Sequence, residues 1–182
     1  MRMERFIVWL VVSLSIGSSA CWLGRAAAQE ALRPPTARET VVAYNVGPRF
    51  SIAPGIFLPH GDGGVGFSLA GDFRYGYELG PVVLAPGVRL AGYFPSGYVA
   101  LSALGTARLT VPMGPVGPYI MAGAGPGYVT KPSEAGLAFM AGGGLMIYIG
   151  RSFAFGAEAA YLGITGTGFR ALFIGPSLLL GF

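Results

Sequence analysis

The chain ends in the stretch Ile174-Gly175-Pro176-Ser177-Leu178-Leu179-Leu180-Gly181-Phe182. Successive side chains of a β-strand point to opposite faces. Steps of two back from the last residue therefore collect one apolar face, made of Phe182, Leu180, Leu178, Pro176 and Ile174. The other face is smaller and more mixed, so the pattern predicts a strand with one face in lipid and the other in the lumen of a barrel.

The composition favours a membrane protein built from strands. The chain is 53% hydrophobic and only 11% charged, with 31 glycines and 14 prolines, which is unusual for a soluble domain. Beyond residue 28, the longest charge-free stretch is 109–130, and its four prolines and five glycines make it a poor helix. In lipid, the only other structure that satisfies every backbone polar group is a closed barrel.

The first 28 residues have the pattern of a secretory signal peptide. Arg2 and Arg5 form a charged n-region, and residues 6–17 form an apolar h-region. Three alanines at 26–28 satisfy the small-x-small cleavage rule. We therefore expect residues 1–28 to be removed and exclude them from the fold.

One alternative to this assignment is a lipoprotein signal with Cys21 as the lipidated residue. It is less favoured, because Ser18 stands where such signals usually carry leucine. Cleavage after residue 28 removes three arginines and one glutamate, so the net charge falls by two from +4. The basicity of the whole chain therefore does not indicate a nucleic-acid partner.

From residue 48 onward the chain alternates between apolar and mixed positions in about eight segments separated by turn residues. The second segment, 65–79, is the clearest, with an outward set of Val65, Phe67, Leu69, Phe73, Tyr75 and Tyr77. The sequence predicts an all-β fold: an eight-stranded antiparallel up-and-down transmembrane β-barrel over residues 48–182, preceded by the signal peptide. An even strand number places both chain ends on the periplasmic side.

Charged residues fall on the inward face of the predicted strands. They are Asp72, Arg74, Glu78, Arg89, Arg108 and Glu158. Charges inside a membrane are costly unless they face a polar lumen and pair with one another. We expect a network of Asp72, Arg74, Arg89, Arg108 and Glu158 to fill the lumen. Other inward positions are glycine or alanine, which leaves open a lumen with room for one small ligand.

The segment 29–47 has two interpretations. Its first half reads as a periplasmic linker, because it contains Arg33-Pro34-Pro35. In its second half, Val42, Tyr44 and Val46 alternate in phase with the first predicted strand. The first strand therefore begins either near residue 48 or near Val41.

The leader, the alternating segments, the Gly- and Tyr-rich stretch 117–128 and the terminal Phe182 together resemble small eight-stranded outer-membrane barrels of the OmpA/OmpX type. The resemblance implies an integral protein of the bacterial outer membrane, in contact with its lipids and lipopolysaccharide. It also implies that Phe182, with Leu180 and Leu178, is the signal read by the barrel assembly machinery. Proteins with this architecture have many roles, so the resemblance does not select one.

Arg170 departs from the pattern, because its parity with Phe182 places it on the lipid face. At about 3.3 Å per residue it lies near the outer rim of the apolar band. There a guanidinium can bind the phosphates of lipopolysaccharide in bidentate fashion. An ordinary rim arginine, or one turned inward by a bulge, is the alternative.

The candidate catalytic residues are sparse. Barrel enzymes that modify lipid A use a serine with a histidine, whereas this chain has one histidine, His60, and no His-x-Ser sequence. A set of His60, Asp62 and Ser68 has no support from spacing. A metal site at His60, Asp62 and Glu134 is equally disfavoured, because a loop histidine beside an aspartate is usually solvated. We expect no cofactor and no metal.

The sequence thus predicts a non-catalytic outer-membrane barrel with a structural or interaction role. The rival interpretation is a barrel that binds, or slowly passes, a small apolar ligand. A lipid A-modifying enzyme is the least favoured reading. The packing of the lumen separates the first two, since a plug of paired charges supports a structural role.

Overall fold

The computed structural model describes residues 36–60, 64–149 and 153–181. The predicted signal peptide, Cys21, Asp62 and Phe182 lie outside these residues. Within these ranges, one helix precedes eight strands: α1 (Ala37–Asn45), β1 (Gly47–Pro59), β2 (Gly66–Leu79), β3 (Val82–Phe94), β4 (Ala100–Thr110), β5 (Val116–Thr130), β6 (Ser133–Ile149), β7 (Phe153–Ile164) and β8 (Arg170–Gly181).

The strands form a closed antiparallel barrel in which each strand pairs with its neighbours in the chain. Pairing of β1 with β8, from Arg49 opposite Gly181 to Pro59 opposite Ala171, completes the ring. The predicted eight-stranded up-and-down barrel is confirmed. We call the end that holds Gly47 and Gly181 the terminal end, and the opposite end the far end.

Prolines inside the strands interrupt the ladder on one side without adding a residue. Pairing of β1 with β8 skips from Ile52 to Ile56, across Pro54, and equally many residues are skipped in β8. A similar gap between β4 and β5 spans Pro126. Proline has no N–H to donate, so the Pro-Gly pairs mark gaps in pairing rather than bulges with an extra residue.

The barrel turns its apolar side chains outward. Ile120, Leu90 and Phe73 are 64%, 60% and 58% exposed, whereas Arg89 on the inward face is 1% exposed. This is the reverse of a water-soluble protein, in which large apolar side chains lie inside. Within the described ranges, no helix is long and apolar enough to cross a membrane.

Helix α1 occupies the part of the segment 29–47 for which the sequence suggested an early start of the first strand, whereas the linker predicted around Arg33-Pro34-Pro35 lies outside the described residues. The strand start near Val41 is wrong. A capping box begins the helix: Thr36 N–H donates to Glu39 Oε2 (2.6 Å), and Glu39 N–H donates to Thr36 Oγ1 (3.3 Å). Gly47, with φ +84°, then provides the left-handed turn from helix into β1.

The helix packs against the barrel interior at the terminal end. Val41, Tyr44 and Asn45 share one helical face and are at most 3% exposed. Asn45 Nδ2 donates to Tyr148 Oη (2.7 Å), and Tyr44 Oη donates to the Ile149 carbonyl (3.2 Å).

Arg49 fixes the end of the same helix. Its guanidinium donates to the carbonyls of Ala43 (2.6 Å), Tyr44 and Pro48 (2.7 Å). A cation is favourable there, because the last carbonyls of a helix carry partial negative charge. The helix is therefore held by its apolar face and by its C-terminal carbonyls.

Gly76 of β2 tests this docking. A Cβ at Gly76 would lie 1.6 Å from the Asn45 carbonyl oxygen, whereas a Cβ at Gly71 on the same strand meets nothing closer than the Phe50 ring at 3.8 Å. Gly76→Ala should displace α1 and cost about 1–3 kcal/mol of unfolding free energy. Gly71→Ala should be close to neutral. Trypsin cleavage after the exposed Arg38 measures the displacement, and equal cleavage of the two variants would contradict it.

Candidate functional site

An ion-pair cluster centred on Arg89 lies in the middle of the barrel interior. Arg89 and Asp72 stand directly opposite each other in the pairing of β3 with β2, and Nη1 lies 3.4 Å from Asp72 Oδ2. Arg89 Nη2 reaches across the lumen to Glu158 Oε1 on β7 at 2.7 Å. All three residues are buried. One arginine therefore links two walls of the barrel.

Tyr119 extends the cluster toward Arg108. Its hydroxyl donates to Glu158 Oε2 (3.0 Å), and the Arg108 guanidinium carbon lies 3.3 Å from the centroid of its ring. The ring thus carries a cation on its face while its hydroxyl binds a carboxylate. Gly144 makes room for it, because a Cβ there would lie 2.7 Å from Tyr119 Oη.

The structure places all five predicted lumen charges inside but pairs only three of them. Asp72, Arg89 and Glu158 are joined as above. Arg74 Nη1 instead donates to Ser51 Oγ (3.0 Å). In the described part of the chain, no carboxylate oxygen lies within 4.0 Å of the guanidinium of Arg74 or Arg108. The interior holds two carboxylates for three arginines, and both carboxylates form their ion pairs with Arg89.

Glu78 does not share the interior with these charges, although its parity on the predicted strand is inward. It is exposed and lies next to the last residue of β2, Leu79. At that height the barrel wall ends in the β2–β3 turn, and the side chain reaches solvent.

The interior is more apolar than the sequence suggested. Its largest buried apolar side chains include Phe57, Leu104, Met146, Leu162, Phe173 and Leu179. Inward parity was the signal for each of them: Phe57, for example, alternates with the outward Ile56 and Leu58 in β1. The glycines and alanines at other inward positions had suggested an emptier lumen, but these large apolar side chains occupy it.

Aromatic rings fill the far end of the interior. Phe57 and Tyr93 meet edge to face with centroids 5.8 Å apart. Phe169 lies 5.7 Å from Tyr93 and 6.4 Å from Tyr98. We call these four residues the far-end aromatic cluster. Together with α1 at the terminal end, it leaves the charged cluster between two packed layers.

A concave apolar groove of about 700 Å³ lies on the outer face of the barrel, across β2 to β6. Most of its lining residues have outward parity, among them Leu69, Gly71, Gly92, Phe94 and Tyr128. Glycines between bulkier neighbours form its floor. This concavity therefore faces the surroundings of the barrel and not the lumen.

The remaining candidate residues lie at the far end. His60 is exposed, and its backbone N–H donates to the Arg170 carbonyl (2.8 Å). Ser68 is 1% exposed inside the barrel, and its hydroxyl has no hydrogen-bond partner among the described residues. No group of three His, Cys, Asp or Glu side chains suited to a metal occurs in the described ranges. Arg170 begins β8 with its side chain exposed at the far-end rim.

No family model and no curated protein matches the chain. Solved structures match it over 74% of its length. The crystal structure of the outer membrane enzyme PagL superposes with a TM-score of 0.55 at 15% identity, over 99% of that chain. Neisserial surface protein A (NspA) superposes with a TM-score of 0.56 at 14% identity, over 96% of that chain. The chain has the fold of the small outer-membrane β-barrels.

The Arg89 cluster makes a testable contribution to stability. Glu158→Gln leaves Arg89 with only the longer contact to Asp72, so we expect a loss of about 3–5 kcal/mol, as for a broken buried ion pair. Glu78→Gln at the exposed rim is the control and should change stability by less than about 0.5 kcal/mol. Urea unfolding in phospholipid vesicles, followed by circular dichroism, measures both. Equal losses would show that the cluster adds nothing to the fold.

Proposed function

We propose that the chain is a small integral protein of the bacterial outer membrane, with a structural or interaction role in the envelope and a lumen closed by paired charges. The observation that carries the proposal is the inverted distribution of side chains. Large apolar residues cover the outside, while Arg89 and two carboxylates are buried inside. Such an exterior is stable only against hydrocarbon.

Three layers support a closed lumen. Helix α1 packs into the terminal end, the Arg89 cluster spans the middle and the far-end aromatic cluster fills the top. An eight-stranded barrel has an interior only wide enough for side chains. The rival function is passage or binding of a small apolar ligand in the lumen; the 700 Å³ apolar groove does not support it, because this groove lies on the outer face of the barrel.

A non-catalytic role rests on the separation of the candidate residues. The fold alone does not decide this, since PagL is described as an outer membrane enzyme. In this chain His60 is exposed at the rim, while Ser68 is enclosed in the interior. A nucleophile needs a base within hydrogen-bond reach, and no hydrogen bond joins these two in the described structure.

The partners we propose follow from the exterior. Outer-membrane lipids and lipopolysaccharide would cover the apolar band, and the assembly machinery would read the last strand. Leu178 and Leu180 are about 39% and 38% exposed on the outer face of β8, which suits a signal read from outside. We place both chain ends in the periplasm, so that the terminal end and α1 face that side.

The location is tested by fractionation and by a matched pair of arginine substitutions. The protein should fractionate with outer membranes and migrate anomalously on gels when unheated; recovery as a soluble periplasmic protein without such migration would reject the barrel assignment.

Val88, at the centre of β3, and Leu79, at the end of β2, are each 52% exposed.

In a bilayer, Val88→Arg should cost about 2–4 kcal/mol because it puts a charge at the midplane. Leu79→Arg, at the rim, should cost about 0–1 kcal/mol. Unfolding in vesicles measures the difference. Equal costs would mean that Val88 does not face hydrocarbon.

For Arg170 we propose a contact with lipopolysaccharide phosphate. The support is its exposed position at the first residue of β8, at the far-end rim, where a long arginine side chain can reach lipid phosphates. Arg170→Glu should weaken lipopolysaccharide retention on the purified barrel, whereas Arg38→Glu at the terminal end should not. Unchanged retention in the Arg170 variant would remove this proposal and leave the fold unaffected.

A further inference from the structure

The centre of the barrel holds more positive than negative charge. Three buried arginines, Arg74, Arg89 and Arg108, stand against two buried carboxylates, Asp72 and Glu158. The excess is one positive charge. A guanidinium does not lose its proton at neutral pH, and an uncompensated buried charge is costly.

Arg49 does not change this count. It lies at the terminal end, where its guanidinium donates to the carbonyls of Ala43 and Tyr44 at the C-terminal end of α1. The charge of Arg89 is compensated by its contacts with both carboxylates, although its Nε has no hydrogen-bond partner among the described residues. The uncompensated charge therefore belongs to Arg74 and Arg108.

The free donors of these two arginines have a definite geometry. Arg108 Nε and Nη2 are buried and have no hydrogen-bond partner among the described residues, and the same holds for Arg74 Nη2. Nε and Nη2 form one edge of the planar guanidinium fork. That edge binds the two oxygens of a carboxylate or phosphate in parallel.

Small residues separate the two side chains. Gly87 of β3 stands opposite Arg74, and Ala85 of the same strand stands opposite Arg108. Both positions have inward parity. Arg74 and Arg108 thus lie on the two strands that flank β3, opposite positions only two residues apart, so both buried side chains enter the same part of the interior.

We propose that Arg74 and Arg108 bind one compact monovalent oxyanion, of the carboxylate class, inside the barrel. One such charge neutralises the excess, and two oxygens match the free edge of Arg108. Water would fill the donors but leave the charge uncompensated. A bulky anion does not fit, because α1 and the far-end aromatic cluster pack above and below the charged layer.

The test compares formate with gluconate, two monovalent carboxylates of different size, at equal ionic strength. The complete folded protein in detergent should melt several degrees higher in formate, and the rise should saturate, as expected for a ligand bound only by the folded state. Gluconate should give no such rise. Identical melting in the two salts would overturn the proposal.

A substitution supplies the missing charge from within. Ala85 and Arg108 are directly opposite on neighbouring strands, so their Cβ atoms lie within about 5.5 Å of each other. Ala85→Asp should abolish the formate response and raise the melting temperature in gluconate above that of the parent. Lys131→Gln, at an exposed cation in the β5–β6 turn, should keep the full response. A full response in Ala85→Asp would also overturn the proposal.

Calorimetry on the unmodified protein decides the matter if the Ala85 variant does not fold. Titration with formate should show one saturable site per chain. Absence of binding heat together with an unchanged melting temperature would show that water, and not an anion, occupies the donors.

Discussion

The pairing of β1 with β8 is the constraint on which the rest of the structure depends. In hydrocarbon no water is present to bond a free backbone N–H or carbonyl, so a sheet with an open edge is not stable there. Ring closure removes the edge and divides every strand into an outward and an inward set. The inverted surface, the buried charges and the docking of α1 all follow from that division.

Strand parity predicted the barrel and the inward face of the five buried lumen charges, though not the exposure of Glu78 at the rim, because a period of two is repeated across eight segments. It failed at 41–46, because this segment is too short to distinguish the strand period of two residues from the helical period of 3.6. Val42, Tyr44 and Val46 fit a strand, but Val41, Tyr44 and Asn45 fit a helix face, and the capping box at Thr36 and Glu39 decides for the helix. Over so few residues, the cap is the more informative signal.

Parity gives a face but not a depth or a partner. It therefore placed Asp72, Arg74, Arg89, Arg108 and Glu158 inside without indicating that Arg89 would take both acids. Nor did it indicate that Arg108 would lie on the ring of Tyr119, which needs the space left by Gly144 on the next strand. Such contacts depend on stagger between strands, which is fixed by register and not by the pattern of any one segment.

The contacts of α1 also set an order of events during folding. Its hydrogen bonds join Tyr44 and Asn45 to residues 103 to 109 positions later in the chain, on β6 and β7. Contacts of such long sequence separation form only after the intervening loop has closed. The surface on which α1 docks therefore forms only after β6 and β7 have assembled with the strands that follow α1. We therefore expect α1, the first element among the described residues, to dock late in folding, after β6 and β7 have joined the sheet.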